Sequence, residues 1–301
     1  MLDVRRLHLL RDLARLGTIA AVAGMHRYTP SAVSQQLATL EREAGTPLLE
    51  RTGRRVTLTP AGRVLAEHAE AVLAALEEAG SAVAAVARGL SGPLRIGAYP
   101  TAVRALLPAT LAALGRRHPG LELRVDELDP ALVPAALRER RLDVGLLHDY
   151  DAVPVRPDPA LDTTPLLDET VYLAVPAADG PPPGEDPVRA SRDRPWILGS
   201  PGTLCHTVAV ELGRRAGYAP RARHHADDFA TVVALVAAGL GVAIVPELAI
   251  EHPPAGARLL PLPTRRRTRI AYRKGAADHP AVAAFTAEIR TAVAARPAPL
   301  H

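Results

Sequence analysis

Residues 29–60 read TPSAVSQQLATLEREAGTPLLERTGRRVTLTP, a run of hydroxyl, amide and guanidinium side chains spaced for hydrogen bonding to a polyanion. Ser31, Ser34 and Gln35 are short and uncharged. Gln can bond adenine at two positions and Ser can bond either base partner, so such a surface suits base edges in a major groove. Thr39 and Arg42 continue the same face. Arg51, Arg54 and Arg55 flank a Gly-containing turn, where cations can clamp phosphates or enter a minor groove. The whole chain holds 36 Lys and Arg against 32 Asp and Glu. In residues 1–63, arginines 5, 6, 11, 15, 27, 42, 51, 54, 55 and 63 face only Asp3, Asp12, Glu41, Glu43 and Glu50, so the positive excess lies in this N-terminal part. Local positive charge draws in a polyanion and makes its binding salt-dependent.

These side chains need a scaffold, and the spacing supplies one. Thr29 is an N-cap and Pro30 stands at the first helical position, where its missing N–H costs nothing. Val33, Leu37, Leu40 and Ala44 recur on one face to be buried, and Gly45 ends the helix. Upstream, Val4, Leu7, Leu10 and Ala14 mark a first helix ending near Gly17. Thr18 caps a short second helix to about Met25, and His26, Arg27 and Tyr28 turn into the third. Two helices joined by a tight turn, the second polar outside, form a helix-turn-helix. Residues 48–51 and 54–58 read as two strands around Thr52 and Gly53, a basic wing. A single capped helix with a polar face also suits a solvated surface; the ordered combination favours DNA. The DNA-binding set is Thr29, Pro30, Ser31, Ser34, Gln35, Thr39, Arg51, Arg54 and Arg55.

This stretch resembles the N-terminal domain of the LysR-type transcriptional regulators. The resemblance rests on Gly17 and Thr18, Ala23, Thr29, Ala32 to Ser34, Gln36 and Leu37, Leu40 and Glu41, Gly45 to Leu48, Glu50 and Arg51, and Val56 to Gly62. The chain departs from the family at Pro30 and Ser31, where Gln-Pro is usual, at Gln35, where Arg is common, and at His26, where Leu is usual. The resemblance therefore implies DNA binding without carrying over an operator sequence.

Thr59 and Pro60 repeat the cap-plus-proline start of a long helix to about residue 87. Leu65, Val72, Ala79 and Val86 are seven apart, and Ala69, Leu76 and Val83 interleave, a heptad seam. The helix could instead pack on its own chain. The resemblance implies a linker helix pairing two subunits, with the homodimer pairing again into a homotetramer, and two recognition helices would then reach half-sites about one DNA turn apart. Gly89, Ser91, Gly92 and Pro93 read as a hinge.

From residue 94 the pattern alternates. Strands at 94–98, 121–128 and 144–147 with helices at 102–117 and 131–140 predict a parallel sheet covered by helices. A second unit has strands at 171–175, 196–198, 222–225 and 242–245, a helix at 204–216, and a helix capped by Asp228 running to Ala238. A strand at 268–272 and a helix at 280–295 return to the first unit. Residues 181–184 read as a loop, and those after Arg296 as a frayed end. Residues 230–246 resemble the second lobe of the LysR effector domain, so the resemblance implies a two-lobe, periplasmic-binding-protein-like α/β domain. The expected division is 1–58 winged helix-turn-helix, 59–92 linker, and 93–301 effector domain, with lobe I at about 93–163 and 267–296 and lobe II at about 164–266.

In such folds ligands sit beyond the carboxyl ends of strands. The effector-binding candidates are Tyr99, Pro100, Thr101, Asp129, His148, Asp149, Ser200, Gly202, Thr203 and His206, each of which could equally be a cap or loop residue. His148, His206, His224 and His225 match no zinc spacing, and no nucleophile motif, phosphate loop or cofactor fingerprint is present, so neither metal nor cofactor is expected. The single cysteine, Cys205, rules out an internal disulfide framework. No apolar run of membrane length and no signal-peptide pattern occurs, so a cytoplasmic protein is expected. The reading is a DNA-binding transcriptional regulator, LysR type, that responds to a small-molecule effector and so changes DNA bend and access by RNA polymerase. The alternatives are a small-molecule binding protein with a vestigial DNA-binding domain and an enzyme on the two-lobe scaffold. Gln35→Ala should relax base preference in a binding-site selection, whereas Arg54→Ala should weaken binding to all sequences alike; equal effects from both would refute this division.

Overall fold

The computed structural model describes residues 1–52, 55–86, 90–179, 184–250 and 255–296, with the side chains of residues 51–55 left aside. Gly53, Arg54, Gly89, the loop at 181–183 and the end after Arg296 therefore lie outside the described residues, as do the side chains of Arg51 and Arg55.

The head is α1 (Val4–Leu16), α2 (Ile19–His26) and α3 (Pro30–Ala44), then an antiparallel ribbon of β1 (Leu49–Thr52) and β2 (Arg55–Leu58). Asp3, Thr18 and Thr29 cap the three helices with their side chains, and Gly17 and Gly45 end α1 and α3 at φ +72° and +68°. Leu10, Val22, Val33, Leu37, Leu40 and Leu48 fill the core beneath them. His26 is the last residue of α2 and not part of the turn; its Nε2 lies 2.7 Å from the buried Asp12 Oδ2. Burial pushes the Asp12 carboxyl up, but hydrogen bonds from His26 and the neighbouring Arg11 bring it net below its usual range. A polar His at a position where Leu is usual is thus matched by a buried partner. Arg27 turns the chain at φ +54°.

The linker α4 (Pro60–Val86) starts from the wing. Glu41 accepts from the N–H groups of Leu48 and Leu49, both at 2.9 Å. Thr59 N–H donates to the Leu48 carbonyl at 3.0 Å, and Thr59 Oγ1 caps Gly62 N–H at 3.0 Å. Gly62 rests on that same Leu48 carbonyl, with no room for a Cβ. Ala66 and Ala69 join the core of the head, and Leu65 packs beside them. This corrects the expected seam: Ala69 is buried within its own chain and Leu65 is half-buried there. Val72, Leu76, Ala79, Val83 and Val86 remain exposed, Val83 at 74% and Val86 at 84%.

The remainder begins with β3 (Gly92–Ala98), so Gly92 and Pro93 belong to a strand where a hinge was expected. Then come α5 (Pro100–Ala105), α6 (Leu107–Arg117), β4 (Leu121–Glu127), α7 (Val133–Arg138), β5 (Val144–Tyr150) and β6 (Leu161–Pro176). The second lobe adds α8 (Pro187–Ala190), β7 (Pro195–Leu198), α9 (Leu204–Arg215), β8 (Arg221–His225), α10 (Phe229–Ala237) and β9 (Ala243–Pro246). The chain closes with β10 (Ala257–Arg273) and α11 (Pro280–Ala294). One helix was expected over 102–117. It is broken at Leu106, two residues before Pro108, because proline cannot donate to the ladder.

The main sheet has the order β4-β3-β5-β10-β6-β9. Only β4, β3 and β5 run parallel; β10 is antiparallel to both β5 and β6, and β9 to β6. The sheet is therefore mixed, not wholly parallel. β6 and β10 are 16 and 17 residues long and pair along nearly their full length. They run from the first lobe's core, around Ile96, Leu107, Ile270 and Phe285, into the second's, around Val171, Trp196, Val208 and Ile244. The short parallel pair β7 and β8 completes the second lobe, with a bridge from Trp196 to Val242, the residue just before β9.

Gly62→Ala should lower unfolding stability by about 1–3 kcal/mol, since the new methyl overlaps a backbone carbonyl that cannot yield. Gly115→Ala, in open space on α6, should raise it by about 0.5–1 kcal/mol. Urea denaturation of both variants checks the contrast.

Candidate functional site: the outer face of the head and the cleft between the lobes

On the head, Thr29 Oγ1 accepts from Ala32 N–H at 3.2 Å and meets Ser31 Oγ at 3.0 Å. Thr39 Oγ1 is bound to the Gln35 carbonyl at 3.0 Å and accepts from Arg42 at 2.7 Å. Thr29, Pro30, Ser31 and Gln35 are exposed, and Ser34 and Thr39 are half-exposed. They lie along one side of α3, opposite the buried Val33, Leu37 and Leu40. This surface offers neutral donors and acceptors with one guanidinium at its end.

In the effector region, a cavity of about 300 Å³ lies where the strands end. Its lining includes Tyr99 and Pro100 after β3, Leu128 and Asp129 after β4, and His148 on β5. Thr101 and Arg104 of α5 face Thr203, Leu204 and Cys205 at the start of α9 and Asp227, Asp228 and Phe229 at the start of α10. Both lobes therefore build it, at the carboxyl ends of their strands.

Arg266 forms the cavity's deep wall. It is 1% exposed, and its Nε donates to Glu169 Oε1 at 2.7 Å, also 1% exposed. Its Nη2 reaches Thr101 Oγ1 at 3.3 Å, and the guanidinium lies over the Tyr99 ring, 5.1 Å from the centroid. Burial works against its charge, but Glu169 outweighs this and holds Arg266 protonated. Tyr99 Oη meets Thr268 Oγ1 at 2.6 Å, and burial pushes its pKa up to about 12. His148 stands edge-on to Tyr99 at 4.6 Å and to Tyr150 at 5.6 Å. Burial, then Arg266, drives its pKa well below the usual value, so it is neutral near pH 7. Its Nδ1 is buried with no hydrogen-bond partner. The Cys205 thiol, 3.8 Å from Tyr150 Oη, is pushed up by burial.

Of the residues proposed from sequence, Tyr99, Pro100, Thr101, Asp129, His148 and Thr203 meet in this cavity. Asp149, Ser200, Gly202 and His206 are not brought to its lining. Asp149 alternates to the other side of β5, where Arg269 lies 3.4 Å away. Ser200 binds Asp227 through its N–H at 2.7 Å and its hydroxyl at 2.6 Å, one step behind the wall. Gly202 turns the loop at φ +93°. His206 Nδ1 lies 3.0 Å from the Gly199 carbonyl, and its ring stacks on His225. Sequence reasoning missed Arg266, Arg104, Cys205, Asp227, Asp228 and Phe229. The available signal for Arg266 was period-two alternation, because Leu262, Thr264, Arg266, Thr268 and Ile270 are all buried. Such a wall can hold a small polar molecule through hydroxyls, a neutral imidazole and a fixed cation. Among the described residues, no group of three or more His, Cys, Asp or Glu is placed to hold a metal ion.

The head and the two-lobe region each match a known family. Residues 4–63 match the model for bacterial regulatory helix-turn-helix proteins of the lysR family, and residues 87–294 match the LysR substrate binding domain. The chain belongs to the LysR family. It is a transcriptional regulator with a DNA-binding head and an effector-binding domain. Among LysR relatives, a probable hydrogen peroxide-inducible genes activator of Mycobacterium avium is 38% identical over 236 residues, covering 76% of this chain and 73% of that protein. One of the same description from Streptomyces viridosporus is 35% identical over 300 residues, 94% of each chain. A hydrogen-peroxide-bound cysteine-to-serine mutant of Corynebacterium glutamicum OxyR superposes with a TM-score of 0.58 at 28% identity, covering 98% of this chain and 93% of that one.

Glu169→Ala leaves the Arg266 charge buried and unpaired, and should cost about 3–5 kcal/mol in urea denaturation. Replacing both by apolar residues of similar volume, Glu169→Leu with Arg266→Met, should cost much less; equal losses would show that the pair adds nothing beyond packing.

Proposed function

We propose that this regulator's grip on DNA is set by a small molecule held between its lobes. The observation that carries the reading is the cavity walled by Arg266, Thr101 and His148 from one side and by Thr203 and Asp228 from the other. A ligand spanning both lobes favours one lobe angle only through unequal affinity for the two arrangements. Residues 1–58 act as the head, 59–92 as the linker and 93–301 as the effector domain. Ser31, Ser34 and Gln35 read bases, with Thr29, Pro30, Thr39 and the wing arginines on the backbone.

The exposed stripe of Val72, Leu76, Ala79, Val83 and Val86 pairs two linkers into a homodimer, whose two heads meet two half-sites. Dimers pair again into a homotetramer, and a change in head spacing alters DNA bend and the access of RNA polymerase. The protein works in the cytoplasm and is not an enzyme; among the described residues no helix is long and apolar enough to cross a membrane.

The two relatives are named for induction by hydrogen peroxide. In this chain the trigger is binding, not thiol oxidation. One cysteine cannot close an intramolecular disulfide, and a thiol pushed up by burial presents little thiolate, the nucleophile that peroxide would need.

A gel-shift titration with the chain's own upstream DNA should show sequence-selective binding that weakens as salt rises; a shift equal for all sequences would sink the regulator reading. A thermal-shift screen of small metabolites on the full chain should find a compound that raises the melting temperature, an effect lost in Thr203→Val with Thr101→Val. Hydrogen peroxide should leave the gel shift unchanged, and a peroxide-dependent shift would instead make Cys205 the sensor.

A further inference from the structure

The head is fastened to lobe I as well as to the linker. The Asp158 carboxylate holds Arg15, at the end of α1, and Arg138, at the end of α7. Arg140 donates to Glu77 of α4 at 2.6 Å, and Arg273 reaches the same carboxylate at 2.9 Å. Ser81 Oγ lies 3.3 Å from the Gly275 carbonyl. These bonds set the turn between α7 and β5 beside the helix-turn-helix.

That turn has an unusual backbone. Arg140 adopts φ +56°, a left-handed conformation uncommon for a residue with its side chain. Arg95 Nη1 fixes it by donating to the Arg140 carbonyl at 2.9 Å. The result is two exposed guanidinium groups, Arg140 bound on one edge to Glu77 and Arg141 bound through Nε to Glu139 Oε2 at 2.6 Å. They face the head across a cavity of about 1130 Å³, whose opposite wall carries Arg5, Arg6 and Arg27. Asp3 and Glu139 are the acids in the lining. His8 adds no charge, since burial and then Arg11 lower its pKa to about 4. Arg6 is paired with Glu43, Arg140 with Glu77 and Arg141 with Glu139, so this concave surface fits a polyanion through Arg5 and Arg27 and through the exposed N–H edges that the paired guanidinium groups still present.

Its position says which one. Arg27 and Tyr28 form the turn leading into α3, and Ala32 and Gln36 of α3 line the same cavity. Ser31 and Gln35 lie one residue back on the adjoining face. The basic cavity is thus continuous with the surface read above as DNA-binding.

We propose that the α7–β5 turn of lobe I, through Arg140 and Arg141, contacts the phosphate backbone of the duplex that α3 reads. This rests on the reading of α3 as the DNA-facing helix. It makes lobe I part of the DNA interface, so a shift of the lobe against the head gains or loses phosphate contacts directly.

The test is the salt dependence of full-chain binding to its selected duplex. Each lost phosphate contact should make the slope of log K against log salt shallower by about 0.9. Arg140→Ala with Arg141→Ala should therefore lower it by about 1.8 per subunit, with base preference unchanged. Arg141→Ala alone, which keeps the bond from Arg140 to Glu77, should lower it by about 0.9 per subunit. Arg140→Lys with Arg141→Lys should restore the wild-type slope. A wild-type slope in both alanine variants overturns the proposal. So does stabilisation of the wild type by inorganic phosphate, absent from the double alanine variant, with no change in DNA slope, which would assign the cavity to a free anion. Loss of sequence selectivity in the wild type itself would instead remove the α3 reading.

Discussion

The effector region is organised around a buried charge that must be neutralised. Arg266 and Glu169 are register partners on β10 and β6, the two strands shared by both lobes. Two ions this deep are tolerable only if their remaining hydrogen-bonding capacity is also met. Glu169 Oε2 takes the Leu248 N–H at 2.5 Å, which anchors the turn after β9. Arg266 reaches Thr101 at the start of α5 and covers Tyr99. One ion pair thus ties together the crossing strands, the first lobe's leading helix and the second lobe's last strand. Its outer side forms the deep wall of the cavity, so what stabilises the crossover also sets the polarity a ligand meets.

The head was legible because its signals are local. Thr18 and Thr29 cap helices within three residues, and Gly17 and Gly45 take positive φ at helix ends; the Asp3 cap of α1 was not read. The long strands were not legible to their full extent. β10 contains three consecutive arginines, a run that reads as solvated charge, yet alternation puts Arg265 and Arg267 outside and Arg266 in the core. β6 likewise carries Asp162, Thr163 and Thr164 just after its first residue, and only its apolar end stands out. The heptad on α4 was real as spacing. Its first members were claimed by the core of the head, because α4 leaves the wing packed against α1 and no period in the sequence records that contact. The cavity was half legible: strand ends pointed to Tyr99, Thr101, His148 and Thr203. Asp227 and Asp228 needed the folded arrangement, which brings the start of α10 to the start of α9.

The linker packs into the apolar core of the head, whereas lobe I is held to both of them by arginine–carboxylate bonds. Arg15 and Arg138 share Asp158, and Arg140 and Arg273 share Glu77. Burial and the nearby Arg138 lower the Arg15 pKa to about 10, a sign that the junction crowds like charges. Such a junction is specific in geometry, because each bond fixes a donor against an acceptor, which suits the proposed passage of a lobe movement to the head.

The central claim is that cavity and DNA surface are coupled, and coupling is reciprocal by thermodynamic necessity. The most direct measurement is the Kd of a cavity-binding compound for the full chain, with and without saturating operator duplex, paired with the Kd of the duplex with and without saturating compound. The account predicts the same fold-change in both, in the same direction, and its loss when Thr101 and Thr203 are replaced by valine. A compound that binds the cavity with one affinity whether or not DNA is present would contradict it.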